Sequence, residues 1–193
     1  MRKMRNMLVL LLVVIVAAAT VELFAEQGSG ESDFSIKKSE AQTVLYTVYR
    51  GPYENVGKPI GELYGLAMQK SIRPRGPVAM VYLNNPQNTT QEHFLVEIRI
   101  PVDSNALQQA GTLGPMTDIK TLKATEYAVM KKQSGLTDYE AFYRALYERI
   151  AKEGYHRTDD AVEVFTGTGI GGDYSQMKSE VMVPVAKTAP VGN

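Results

Sequence analysis

Glu97-Ile98-Arg99-Ile100-Pro101-Val102 and Glu180-Val181-Met182-Val183-Pro184-Val185 are two copies of one pattern, E-[IV]-x-[IV]-P-V, set 83 residues apart (180 − 97 = 83). An echo at a fixed offset marks a duplicated supersecondary unit. Working outward, Phe165 falls opposite Tyr82 and Val164 opposite Val81 at the same offset. Leu146-Tyr147 falls opposite Leu63-Tyr64. Upstream, Tyr127-x-Val129 echoes Tyr46-x-Val48 at an offset of 81 (127 − 46 = 81), as if a turn had changed length by two.

Each half carries the same order of elements. In the first, Thr43–Tyr49 is a β-branched and aromatic run, read as a strand and broken by Gly51-Pro52. Pro59 suits a first helical turn, and Ile60, Leu63, Tyr64, Ala67 and Met68 then recur on one helical face. Val78–Leu83 and Phe94–Val102 are two more strands. In the second half Thr125–Lys132 is a strand, and Thr137-Asp138-Tyr139-Glu140 has the form of a capping box. Tyr139, Phe142, Tyr143, Leu146 and Ile150 form an apolar stripe, and Gly154 stands at the helix end. Ala161–Thr166 and Lys178–Ala186 are strands around Gly167–Gly172, read as a hairpin connection because no Lys-Ser/Thr or helix follows it. The fold class is therefore α+β: duplicated β-α-β-β units related by a pseudo-two-fold, with antiparallel sheets, a helix packed on each, and a cleft between the modules.

Strand alternation sorts the side chains. Phe94, Val96, Ile98, Ile100 and Val102 are expected to face the helices, as are Val81, Leu83, Val162, Val164, Val181, Val183 and Val185. The outward set is then Met80, Tyr82, Leu95, Glu97, Arg99, Glu163, Phe165, Glu180 and Met182. Large apolar groups among a few charges make a small-molecule cleft rather than a solvated face.

Composition narrows the function. Lys+Arg and Asp+Glu are both 21, so no basic stripe recommends a nucleic-acid partner. There is no Cys, which excludes disulfides, thiolate metal sites and cysteine nucleophiles. His93 and His156 read as surface residues, and no metal or cofactor is expected. Arg2, Lys3 and Arg5 precede the apolar run Met7–Ala19, so residues 1–25 are read as a signal peptide or, if uncleaved, an N-terminal anchor. That segment is the one expected route to a membrane, and the body is expected to be exported. Residues 26–41 read as a flexible linker, 42–103 and 124–187 as the repeats, 104–123 as their connector and 188–193 as a tail.

Tyr49-Arg50-Gly51-Pro52-Tyr53, Val81-Tyr82-Leu83-Asn84-Asn85-Pro86 and the two E-x-x-x-P-V strands resemble the GyrI-like small-molecule-binding domain. This is also the effector-binding domain of bacterial multidrug-responsive transcription activators. The resemblance covers residues 42–187. It implies an acidic residue on the last strand of a repeat, lying in the cleft and meeting lipophilic, often cationic ligands. Glu180 and its echo Glu97 match that position, and Tyr82 and Phe165 match the aromatic lining. Some stand-alone members hydrolyse strained electrophilic rings with a cleft carboxylate. Two departures stand out: the second repeat reads Val164-Phe165-Thr166-Gly167-Thr168 in place of the Asn-Asn-Pro form, and a leader would separate the chain from cytoplasmic partners.

Three functions follow. The first is an exported binding protein for lipophilic, cationic or amphipathic compounds, with Glu180, Glu97, Tyr82, Phe165, Met80, Met182, Arg99 and Glu163 as ligand contacts. The second is a hydrolase using Glu180 or Glu97, although no nucleophile–base–orienter trio is visible. The third is a cell-surface interaction module docking through the outward face.

Overall fold

The computed structural model of the 193-residue chain describes residues 33–84, 90–133, 135–166 and 177–189. The leader and the Gly-rich connection at 167–172 lie outside the described residues.

Among the described residues nine strands join one antiparallel sheet. They are β1 (Phe34–Ser39), β2 (Gln42–Arg50), β3 (Ala79–Tyr82), β4 (Leu95–Pro101), β5 (Thr117–Leu122), β6 (Thr125–Lys132), β7 (Tyr155–Arg157), β8 (Val162–Phe165) and β9 (Ser179–Lys187). Two helices accompany them, α1 (Gly57–Gln69) after β2 and α2 (Tyr139–Lys152) after β6. The strand order is β1-β6-β9-β8-β3-β4-β2-β5, with β7 added beside β9. Its centre is palindromic: β6-β9-β8 on one side mirrors β3-β4-β2 on the other.

The 83-residue offset runs through the hydrogen-bonded ladders. Glu97 pairs with Val48 and Val81, while Glu180 pairs with Lys131 and Val164. Adding 83 to each member of the first set gives the second. Leu45 opposite Ile100 likewise becomes Ala128 opposite Val183. The first strands of the repeats are thus related by 83, not 81; the Tyr46/Tyr127 echo is a coincidence of composition.

Each helix packs on its own repeat. Ile60, Leu63 and Ala67 of α1 bury against Leu45, Met80, Val96, Ile98 and Ile100. Leu146 and Ile150 of α2 bury against Ala128, Val181, Val183 and Val185. A fully buried leucine contributes about 1.5–3 kcal/mol, so Leu63 and its counterpart Leu146 are principal anchors. Met68, expected on this stripe, is 79% exposed. It lies one position past Ala67, where the stripe has rotated away from the sheet. Asp138, rather than Thr137, caps α2: its carboxylate accepts from the Ala141 amide at 2.9 Å. Gly154 follows that helix with φ +77°, the left-handed conformation that ends it without a Cβ clash.

Three sequence expectations change. The linker at 26–41 holds β1, in which Phe34 and Ile36 pack on the α2 cluster and pair with Met130 and Ala128. The connector at 104–123 holds β5, which pairs with β2 and buries Ile119. Most important, β3 and β8 present the opposite faces to those expected. Met80 and Tyr82 lie across from Ile98 and Val96 and therefore share the helix-covered side. Glu163 and Phe165 join them there, while Val81, Val162 and Val164 turn to the helix-free side.

Candidate functional site

The eight site residues read from the sequence divide between the two faces of the sheet. Met80, Tyr82, Glu163 and Phe165 lie on the helix-covered face; Glu97, Arg99, Glu180 and Met182 lie on the other. Strand parity gives four of these correctly, and the pairing of β3 with β4 reassigns the rest.

On the helix-free face the two motif glutamates are engaged separately. Glu97 accepts from Arg99 at 2.5 Å and from the Lys120 ammonium at 2.7 and 2.8 Å. Glu180 faces Lys37 at 3.5 Å. Strands β8 and β3 stand between their two strands. A cavity of about 360 Å³ lies on this face, lined by Arg99, Tyr127, Val162, Val164 and Met182 among others. Neither glutamate lines it.

The helix-covered face holds a more concentrated arrangement. Five polar or charged residues are buried among those described, and three of them, Lys132, Glu163 and Ser179, touch one another. Glu163, 1% exposed, sits on β8 at the centre of the sheet. The Tyr82 hydroxyl donates to its Oε2 at 2.5 Å, and the Ser179 hydroxyl donates to its Oε1 at 2.7 Å. The Lys132 ammonium forms an ion pair with Oε1. Each charge is thereby hydrogen-bonded, which its burial requires.

Aromatic rings surround this cluster from several elements. Phe94 lies 5.8 Å from Tyr82 and 5.7 Å from Tyr53, centroid to centroid. The Lys132 ammonium stands 5.1 Å over the Tyr139 ring of α2. Burial, followed by the charge of Glu163, raises the Tyr82 phenol well above its usual value. The same two causes, in the same order, raise Tyr143. Both phenols therefore stay protonated in neutral solution, and Tyr82 donates to Glu163.

The repeat supplies a counterpart for each of these three positions. Subtracting 83 from Lys132, Glu163 and Ser179 gives Tyr49, Met80 and Val96. The first copy holds this row with Tyr49, Met80 and Val96, none of them charged, and the second with a lysine, a glutamate and a serine. Neither Lys132 nor Ser179 stands out in the sequence; the pairing of β9 with β6 and β8 is what brings them beside Glu163.

Aromatic side chains around a few fixed polar groups have the composition of a small-molecule site. The family comparison agrees: the chain matches the GyrI-like small molecule binding domain over residues 13–103 and 32–186. It belongs to the GyrI-like family. The domain binds small molecules. Among solved structures, the GyrI-like fold here is similar to the crystal structure of the EcmrR C-terminal domain, with a TM-score of 0.62 and 16% identity over 80% of this chain and 98% of that one. It is similar also to EcmrR in its DNA complex, by cryo-EM, with a TM-score of 0.64 and 13% identity over 97% of this chain and 70% of that one. A hydrolase from Listeria innocua matches with a TM-score of 0.55 and 10% identity over 79% of this chain and 91% of that one. At such identities the likeness is one of fold. No curated protein sequence matches the chain.

Proposed function

We propose that this GyrI-like protein is an exported binder of lipophilic organic cations, and that Glu163 rather than Glu180 or Glu97 meets the cationic group. The observation that carries the reading is a carboxylate buried among aromatic rings on the helix-covered face. In such a place Coulomb attraction is screened far less than in water. Ring faces of the Tyr82, Tyr139 and Tyr143 type add cation–π attraction of about 0.5–2 kcal/mol each.

Titration calorimetry with tetraphenylphosphonium, against neutral triphenylphosphine oxide as control, tests it. Glu163→Gln keeps the shape and removes the charge. The phosphonium should bind at least about thirtyfold more weakly to that variant, a loss of about 2 kcal/mol, while the phosphine oxide changes little. Equal binding of the phosphonium to both proteins would refute the role of Glu163. The Tyr82–Glu163 hydrogen bond supports hydrolysis as a second reading, since it pairs a carboxylate with a phenolic donor. That reading gains if Glu163→Gln retains binding yet loses turnover of a strained electrophile.

Export rests on Arg2, Lys3 and Arg5 ahead of the run Met7–Ala19. N-terminal sequencing of the protein from its native host should find a mature end between Thr20 and Gly28. A full-length cytosolic chain would defeat the proposal, and an intact Met1 in membranes would make the leader an anchor.

A further inference from the structure

We infer that Lys132 is a tethered competitor: its ammonium occupies the cation position on Glu163 in the free protein, and a cationic ligand binds by displacing it. The inference rests on the cation reading above and specifies how that site is regulated.

The first argument is that the charge of the buried Glu163 carboxylate is already matched. Oε1 accepts from Ser179 and holds Lys132, and Oε2 accepts from Tyr82. A second cation would leave the buried site with an uncompensated positive charge unless it takes the place of the one already there. Ser179 and Tyr82 are neutral, short or rigid, and fixed on strands. Lys132 alone carries a positive charge, on a stem of four methylenes at the last position of β6. Exchanging it for another cation keeps the buried site electroneutral, whereas displacing either hydroxyl would not.

The second argument is that Lys132 already uses what an organic cation would use. Its ammonium has a carboxylate on one side and the face of Tyr139 on the other. It is, in effect, a bound alkylammonium supplied by the chain itself.

The third argument is that the fold does not require the pair. The first repeat builds the same three ladder positions from Tyr49, Met80 and Val96. A buried ion pair is rarely more stabilising than apolar side chains of similar size. Lys132 therefore has no evident structural need to sit where it does, and a competitor's role accounts for it.

Displacement acts as a threshold. The competent state, with Lys132 withdrawn, is a minor population, and the apparent affinity for any cation is reduced by that fraction. Weak or abundant cations are rejected, and only ligands that also fill the aromatic cleft overcome the tether.

Two measurements test this. In the first, wild-type protein is reductively methylated with and without saturating tetraphenylphosphonium, and modification is located by mass spectrometry. Lys132, 3% exposed, should be protected in the free protein and modified when the phosphonium is bound. In the second, Lys132→Met should bind the phosphonium about tenfold or more tightly, the gain from removing a populated competing state. That comparison is made at about pH 8.5 as well as about pH 7. Protection of Lys132 at saturation, or binding to Lys132→Met that is no tighter at either pH, overturns the inference. Should Lys132→Met fail to fold, the methylation experiment decides alone. If Glu163→Gln abolishes binding while Lys132 stays protected, the cation site stands and only the competitor falls. If the wild type binds no phosphonium at all, the cation reading falls first and takes this inference with it.

Discussion

Met80 and Glu163 lie directly opposite each other in the β3–β8 ladder, and each is the other's counterpart in the repeat (163 − 80 = 83). The pairs on either side invert about them: Ala79 faces Val164 and Val81 faces Val162. The pseudo-two-fold therefore passes between a methionine and a glutamate. Duplication presents two equivalent backbone positions at the middle of the sheet. One copy carries an apolar residue there and packs it on α1; the other carries a buried charge.

This asymmetry predicts a stability pattern. Glu163→Met alone strands the Lys132 ammonium in a buried site, which costs about 3–5 kcal/mol for the loss of one partner. Glu163→Met combined with Lys132→Met removes both charges and reproduces the apolar character of the first repeat. The double variant should return to within about 1 kcal/mol of wild type or exceed it. Urea unfolding of the three proteins reads the coupling directly. A double variant as unstable as the single one would mean that the fold itself depends on the ion pair.

Tyr82→Phe removes one donor from Glu163 and leaves the other two. A hydrogen bond to a charged group contributes about 1.5–3 kcal/mol, against about 0.5–1.5 kcal/mol for a neutral one. Tyr49→Phe offers the neutral comparison, since the Tyr49 hydroxyl donates to the Pro52 carbonyl at 3.0 Å. The Tyr82 variant should lose more stability in chemical denaturation. Equal losses would show that the Tyr82–Glu163 bond carries no charge-assisted strength.

The helices and six of the strands are readable from the sequence as apolar runs bounded by Gly, Pro and polar breaks, and the repeat as an echo at a fixed offset. In β4 and β9 only one parity is continuously apolar, so their faces are read correctly. In β3, Ala-Met-Val-Tyr, both parities are apolar because both faces are covered: Met80 packs under α1, and Ala79 and Val81 pack with Tyr127 and Met182 on the other side. Alternation cannot choose between them; the cross-strand partner Ile98 does, and pairing is a tertiary fact. The two edge strands were missed for another reason. β1 is short and carries Lys37 and Lys38, and β5 carries Asp118 and Lys120, features that blunt an exposed edge and resemble a polar linker.

The equivalence of the repeats also predicts matched core energetics. Leu63 and Leu146 are both fully buried and related by 83 (146 − 63 = 83). Leu→Ala at either position should cost about 3–5 kcal/mol, in the upper part of the range for buried leucines. Calorimetric unfolding of the two variants should give similar losses and one cooperative transition. Separate transitions in the two variants would show that the repeats unfold independently.

The raised Tyr82 and Tyr143 phenols set the alkaline limit of stability. In the folded chain each holds its proton to a higher pH than in the unfolded chain, where the ordinary tyrosine value of about 10 applies. Below about pH 10 both states carry the proton and neither phenol makes stability depend on pH. Above it the unfolded state releases protons that the native state retains, so the unfolded state binds fewer and stability must fall with rising pH. The stabilisation is present in full below the unfolded value and is lost as pH climbs towards the folded one. Denaturant midpoints taken between about pH 8 and about pH 11.5 should therefore hold level and then decline steeply. The decline should be shallower in Tyr82→Phe and in Tyr143→Phe, and shallowest in the double variant. Spectroscopic titration gives the companion measurement, since phenolate absorbance of the native protein should fall short of that for all eleven tyrosines until the chain unfolds. Complete native ionisation near the ordinary value, or a decline unchanged by both substitutions, would place these phenols in water rather than around Glu163.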